Sequence, residues 1–258
     1  MELELEVSGF VDRAVFDDGE IETLHRPLLR HLTRLARDSR PPFIVLLGAT
    51  AGSGKSILAA FWELLSHKDD ELLSAQALSI DGFHFPNRVM KRRTILRDGK
   101  QRLMHDYKGA PESFDLAGIR KKLSALRQGD SIRWPLYDRK IHDPVEDAIA
   151  VTSPLLILEG NYVLLDVPGW RELRDLANFG IFLETDVDLT RERLRQRKLR
   201  GGYDEDWVVG HYARSDGPNT ALILGQRLTA DITLSWRDAD GRGGWDAKDG
   251  ELKTWGRA

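Results

Sequence analysis

Cysteine is absent from all 258 residues. Structural disulfides, thiolate nucleophiles and cysteine-ligated metals are therefore excluded. The absence fits a reducing cytosol, and a cytoplasmic location is the expectation. Long apolar runs are missing too. No stretch approaches the ~20 residues that a membrane helix needs. The opening Met1-Glu2-Leu3-Glu4-Leu5-Glu6 alternates acids with apolar residues, unlike a secretory signal. Nor does one sign of charge dominate. With 38 Lys and Arg against 41 Asp and Glu, the formal net charge is −3. Whole-chain charge gives no pull toward nucleic acid or an anionic membrane. Internal repeats and low-complexity linkers are also lacking. The chain does hold 41% apolar residues, enough to build the core of one large α/β domain or two small ones.

The most informative segment is Ala49-Thr50-Ala51-Gly52-Ser53-Gly54-Lys55-Ser56, directly after the apolar run Phe43–Leu47. A strand running into a glycine loop and then a helix is the context of a phosphate-binding loop. Its glycines let backbone N–H groups turn inward around phosphates. Lys55 reaches the β- and γ-phosphates, and the Ser56 hydroxyl takes a place on Mg²⁺. Ile57 to Ser66 carries apolar residues at helical spacing, as that context requires. One position departs from the usual pattern: Ala49 stands where the first glycine belongs, and Gly48 lies one residue early. The segment implies ATP or another nucleoside triphosphate with Mg²⁺. It does not say which molecule receives the phosphate.

Around this segment strands and helices alternate. Residues 1–40 read as an extension, with a strand at Leu3, Leu5 and Val7 and a helix from Glu20 to Arg37, stopped by Pro41-Pro42. Strands are expected at Phe43–Leu47, Ala77–Ile80, Leu155–Leu158, Gly180–Leu183 and Asp231–Trp236. Helices are expected at Ile57–Ser66, Phe114–Gln128 and Leu189–Arg200. Such alternation argues an α/β fold with a mostly parallel sheet covered on both faces. Residues 41–236 form the main domain, with a lid near 189–203. Residues 237–258 form a short tail, where Asp249-Gly250 could turn a hairpin between Trp245 and Trp255.

Ligands in such folds sit at the carboxyl ends of the strands. Asp81 and Glu159 fall at two of those ends, beside the phosphate loop. Glu159, after Leu155-Leu156-Ile157-Leu158, can hold Mg²⁺ through its water shell, although a surface acid after a core strand is an ordinary occurrence. Asp81 in Ser79-Ile80-Asp81-Gly82-Phe83-His84 can orient an acceptor hydroxyl and take its proton. His84 could contact substrate or simply hold its loop.

A family resemblance rests on these strings and several others. Asp81-Gly82-Phe83-His84, Gly109-Ala110-Pro111-Glu112-Ser113-Phe114-Asp115 and Pro135-Leu136-Tyr137-Asp138-Arg139-Lys140-Ile141-His142 resemble the phosphoribulokinase/uridine kinase superfamily. Leu158-Glu159-Gly160-Asn161-Tyr162 and Ser215-Asp216-Gly217-Pro218-Asn219 are similar to its nucleoside/nucleotide kinase group, related to bacterial pantothenate kinase. The resemblance runs from about Pro41 to Trp236. It implies the three-layer α/β/α fold of P-loop NTPases and transfer of the ATP γ-phosphate to a hydroxyl of a small metabolite. By the same resemblance Asp81 is the catalytic aspartate, and Lys55, Ser56 and Glu159 are the nucleotide and Mg²⁺ residues. His84, Asp115, Tyr137, Arg139 and His142 fall on the acceptor side. Arg139 and Lys140 differ from the usual uridine kinase residues, so the acceptor is not fixed as uridine. A nucleoside, a sugar or sugar phosphate, and a pantothenate-like acid all stay open.

The basic helix 189–200 matches the family's lid. Arg193, Arg197 and Arg200 share one face, and Arg191, Arg195 and Lys198 share another. Arg193 and Arg197 are the expected charge-neutralising residues, although a run of charge is more often a solvated face. Between Arg88 and Lys108 a second basic stretch, including Arg92, Arg93 and Arg97, could bind an anionic acceptor or be a solvated loop. A nucleotide-operated switch acting on a protein partner is the competing class. No Asn-Lys-x-Asp guanine-reading string is present. No nucleic-acid or membrane partner is expected, and the N-terminal strand and tail could build a homodimer edge.

Overall fold

The computed structural model describes residues 1–7, 10–97, 99–237 and 243–248. The alternation at the N-terminus folds as β1 (Glu2–Val7). It pairs antiparallel with β2 (Phe10–Val15), a strand absent from the sequence-based expectation. One helical turn (Asp18–Glu20), a π-helical turn (Ile21–His25) and α1 (Arg26–Arg37) follow. Asp17 starts this run by accepting from the Glu20 amide. Pro41 and Pro42, joined by a cis peptide bond, separate it from β3 (Phe43–Ala49).

The remaining elements are arranged around a six-stranded sheet. After α2 (Lys55–Ser66) come β4 (Ala75–Ser79) and a 3₁₀ turn at Ile80–Phe83. A short α3 (Asn87–Met90) precedes the hairpin of β5 (Thr94–Arg97) and β6 (Lys100–Leu103). Then α4 (Leu116–Gln128) leads to a second hairpin, β7 (Arg133–Asp138) and β8 (Asp143–Ala150). The chain returns through β9 (Leu155–Gly160) and β10 (Phe179–Glu184) to the helices α5 (Val187–Arg200), α6 (Glu205–His211) and α7 (Gly217–Gly225). It closes with β11 (Ile232–Arg237) and β12 (Gly244–Ala247).

Strand order in the sheet is β12-β11-β10-β3-β9-β4, parallel throughout except for β12. Continuous apolar strands are what a sheet covered on both faces demands. In β3, Phe43, Val45 and Leu47 pack with Leu28, Leu32, Leu58 and Trp62 from α1 and α2. Ile44 and Leu46 face the other way, toward Ile119 and Leu123 of α4. The result is the three-layer α/β/α arrangement.

The N-terminal segment is tied into this body by a buried chain of hydrogen bonds. Trp62 Nε1 donates to His25 Nδ1 at 3.1 Å, and His25 Nε2 lies 2.9 Å from Glu20 Oε1. The Trp245 amide donates to the other oxygen of Glu20 at 3.0 Å. An indole N–H can only donate, so the His25 proton sits on Nε2 and points at Glu20. Trp245 faces Trp236 across β12 and β11. The hairpin expected around Asp249-Gly250, reaching Trp255, lies outside the described residues. Among the described residues no helix is long and apolar enough to cross a membrane.

Candidate active site

The phosphate loop occupies the turn between β3 and α2. Gly52 and Gly54 have φ of +82° and +94°, which side chains adopt only at a cost. Gly52 is constrained a second time: a Cβ there would lie 2.8 Å from the Thr190 carbonyl of α5. The basic helix therefore rests directly on the loop. Ala49, by contrast, is the last residue of β3 and fully buried, so its methyl group sits in the core.

Glu159 pairs with Leu47 on one side and Ser79 on the other, at the carboxyl edge of the sheet. Ser56 Oγ donates to Glu159 Oε1 at 2.9 Å, and Lys55 Nζ lies 3.9 Å from Oε2. Glu159 Oε2 is buried without a hydrogen-bond partner. Burial pushes the Glu159 carboxyl above its ordinary range; Lys55 pulls it back and nearby Asp81 adds to the rise. An orphaned carboxylate oxygen beside a serine hydroxyl is a donor set that suits Mg²⁺, a hard cation that takes oxygen ligands. Among the described residues no group of three or more His, Asp or Glu could hold a metal by itself. Ser56 and Glu159 would thus share the ion with water and phosphate oxygens, the usual mode for Mg²⁺.

Asp81 is placed by the turn that ends β4. Its amide donates to Ser79 Oγ at 3.2 Å, and the Ser79 carbonyl accepts from Trp134 Nε1 at 2.8 Å. Gly82 follows because β7 lies against this turn: a Cβ would meet the Pro135 carbonyl oxygen at 2.3 Å. That contact brings Tyr137 and Arg139 to the same cavity as Asp81. The cavity, of about 220 Å³, is also lined by Ala51 of the phosphate loop and Arg197 of α5.

The neighbouring groups have defined roles. His84 Nδ1 donates to the Asp81 carbonyl at 2.8 Å while its ring tilts on Phe114 at 3.9 Å. Burial lowers its pKa, so at neutral pH it is an uncharged imidazole with Nε2 as acceptor. Burial, with Asp81 and Asp143, pushes the Tyr137 hydroxyl up, so it stays a protonated donor. Asn161 also lines the cavity, and its Oδ1 is buried without a partner.

Two acceptor-side residues implied by the resemblance lie elsewhere. Asp115 caps α4, accepting from the Gly118 amide at 3.0 Å, while its own amide donates to Phe83. His142 sits exposed in the turn between β7 and β8 at φ +53°. Neither side chain lines the cavity. The His142 carbonyl accepts from Asn87 Nδ2 and Lys108 Nζ, both at 2.8 Å. Two arginines of the basic stretch are occupied too. Arg97 forms two hydrogen bonds with Glu112, at 2.6 and 2.7 Å, and Arg93 stacks on Phe85 at 4.3 Å. Of the basic residues from Arg88 to Lys108, only Lys108 lines the cavity.

The two faces of the lid helix separate as its spacing predicts. Arg193 reaches the Gly52 carbonyl at 3.5 Å and stacks on Trp236 at 4.6 Å. On the other face, Arg191 covers Tyr212, Arg195 holds Glu205 and Lys198 pairs with Asp216. His211 adds a contact to Asp216 at 3.6 Å. Lys198, His211, Asp216 and Asn219 line the cavity without having been singled out as site residues. The signal for two of them was the string Ser215 to Asn219, whose Asn219 holds the Gly109 carbonyl at 3.3 Å.

The sequence model of the Phosphoribulokinase / Uridine kinase family matches residues 44–237. The chain belongs to the phosphoribulokinase/uridine kinase family. The chain is also similar to YggC, an uncharacterized protein of Escherichia coli strain K12. The two are 41% identical over 235 residues, which cover 91% of this chain and 95% of YggC. A pantothenate kinase of Escherichia coli strain SMS-3-5 is 29% identical over 205 residues, covering 73% of this chain and 62% of that kinase. The chain thus spans less than two thirds of the pantothenate kinase. A solved structure of a proposed fructose transport system kinase from Silicibacter sp. TM1040 aligns with a TM-score of 0.70 and 32% identity. The match covers 81% of this chain and 96% of that one. YFH7 of Saccharomyces cerevisiae shares the fold, with a TM-score of 0.67 at 16% identity over 82% of this chain and 98% of its own. Family and fold together make this protein a P-loop kinase.

Proposed function

We propose that this protein transfers the γ-phosphate of ATP to a hydroxyl of a small metabolite, with Mg²⁺ as cofactor. The observation that carries the reading is a single cavity lined by Ala51 of the phosphate loop, Asp81, Tyr137 and Arg197. Donor-side and acceptor-side groups thus face one space. Backbone amides of residues 50–56 and the Lys55 ammonium hold the phosphates. Mg²⁺, held by Ser56 and Glu159, supplies charge neutralisation when bound.

Asp81 orients the acceptor hydroxyl and accepts its proton. In a loose transition state positioning counts for more than basicity, and the Gly82–Pro135 contact provides that positioning. Lys55, Arg193 and Arg197 balance charge on the transferring group. Tyr137 donates to the acceptor, and His84 Nε2 accepts from one of its hydroxyls. Asp115 and His142 act on this side through the backbone they fix. The names of the pantothenate kinase and of the fructose transport kinase support an alcohol as acceptor.

The test is an ADP-release screen over nucleosides, sugars, sugar phosphates and hydroxy acids, run on wild type and D81N. Turnover should fall by ~10²–10⁴-fold in D81N, while Mg·ATP binding by calorimetry stays within about threefold. D81N turnover within tenfold of wild type removes Asp81 from the reaction.

A further inference from the structure

Lys108 is a cation held in place by neutral groups, with no carboxylate in direct contact among the described residues. Its ammonium donates to Asn87 Oδ1 and to the His142 carbonyl, both at 2.8 Å, and lies 5.0 Å from the centre of the Tyr137 ring. Both acceptors are neutral oxygens. Asp143, whose Oδ1 accepts from the Asn87 amide, acts on it only through space and not in direct contact. An ammonium has three N–H donors, so one remains for the cavity that Lys108 lines. The bracket that fixes it draws on two separate elements, the start of α3 and the turn between β7 and β8. This gives the left-handed conformation of His142 a purpose: it aims a carbonyl at Lys108.

The charge around the cavity points the same way. Lys198 is paired with Asp216. Lys108 and Arg139 then outnumber Asp81 on the acceptor-side wall. Burial already lowers the Lys108 pKa. A half-buried ammonium that touches only neutral oxygens has lost water and gained only the longer-range attraction of Asp143, which does not offset that loss. A bound anion would supply a direct Coulomb partner.

We infer that the acceptor is an anionic alcohol, whose carboxylate or phosphate is received by the Lys108 ammonium with Arg139 beside it. This rests on the kinase reading above and names the substrate class within it. It also moves anion recognition away from Arg93 and Arg97, which Phe85 and Glu112 occupy.

Two measurements on the full chain test it. K108Q removes the charge but keeps an N–H donor for Asn87 and His142, K108R restores the charge, and K68M alters an exposed lysine beyond α2. The first measurement is the thermal shift caused by sodium sulfate over sodium chloride of equal ionic strength, with Mg²⁺ and a non-hydrolysable ATP analogue present. Wild type, K68M and K108R should share a sulfate-specific shift that K108Q loses. An equal shift in K108Q overturns the inference.

The second measurement is ADP release with paired acceptors: glycerate and glycerol, ribose 5-phosphate and ribose, pantothenate and pantothenol. Turnover should be confined to charged members, and the pairs separate carboxylate from phosphate. K108Q should raise the acceptor KM about 10- to 100-fold, the loss expected for a hydrogen bond to a charged group, with the ATP KM changed less than threefold. Neutral members turned over as well as charged ones overturn the inference. So does a fall in kcat shared by all acceptors, which would place Lys108 on the transferred phosphate. If ATP is never consumed with any acceptor, the kinase reading fails, and the sulfate shift still decides whether Lys108 receives an anion.

Discussion

Gly82 and Gly54 show how differently two glycines of one site are constrained. A Cβ on Gly82 would enter the Pro135 carbonyl at 2.3 Å, against backbone that has no easy way to move. G82A is expected to cost about 3 kcal/mol in urea unfolding. It should also lower kcat, because β7 carries Tyr137 and must shift away from Asp81. Nothing lies within 4 Å of a Cβ on Gly54, where the constraint is the positive φ alone. G54A is expected to cost about 1 kcal/mol. Equal losses in the two variants would contradict the packing account. Ala49 belongs to the same scale: the phosphate-loop pattern prefers glycine there, but in this chain the position is the buried end of β3, where a methyl group packs.

The lid helix is fixed at the scale of elements. Its second face is fastened to α6 and the turn after it through Arg195–Glu205 and Lys198–Asp216. Burial raises the Asp216 carboxyl, but His211 and Lys198 outweigh that and hold it below the ordinary carboxylate range. A depressed carboxylate contributes stability that is present above its unfolded pKa, about 3.9. That contribution is lost as pH falls through the lower folded value. With both side chains about 15% exposed, D216N should be about 2 kcal/mol less stable than wild type at pH 7. The gap should narrow below about pH 4. A gap that persists unchanged at lower pH would show that the ion pair is not its source.

Helical spacing made this division of faces legible, since Arg193 and Arg197 are four residues apart. It could not show that Glu205, Tyr212 and Asp216 would meet the other face, because those contacts depend on where α6 folds back. The sheet was legible for a related reason: its strands are continuous apolar runs that burial on both faces demands. The hairpin β5–β6 escaped because it is short and largely exposed, and β7–β8 because Pro135 and Pro144 interrupt the strand pattern. Charge density could not show which cations of the basic stretch have partners: Glu112 and Phe85 occupy Arg97 and Arg93, while Lys108 lines the cavity. Family resemblance placed Asp115 and His142 on the acceptor side. In the fold they serve as a helix cap and a turn that aims a carbonyl.

The whole molecule depends on its N-terminal segment. Leu28, Leu29 and Leu32 are fully buried against the sheet, and the Glu20–His25–Trp62 chain joins α2 to β12 through the Trp245 amide. L28A is expected to cost about 3 kcal/mol, measured as a lower urea midpoint with an unchanged slope. A cost below about 0.5 kcal/mol, the level of an ordinary surface change, would mean that this segment is not part of the core. The central claim concerns the chemistry at the carboxyl edge of the sheet, where Lys55, Ser56, Glu159 and Asp81 converge. Phosphorus NMR of the protein with ATP, Mg²⁺ and the acceptor found by screening tests it most directly. The account predicts that the ATP γ-phosphate signal is replaced by a phosphate monoester on the acceptor, and that D81N binds Mg·ATP but forms the ester ~10²–10⁴-fold more slowly. Release of inorganic phosphate in place of an ester, at the same rate in wild type and D81N, would contradict it.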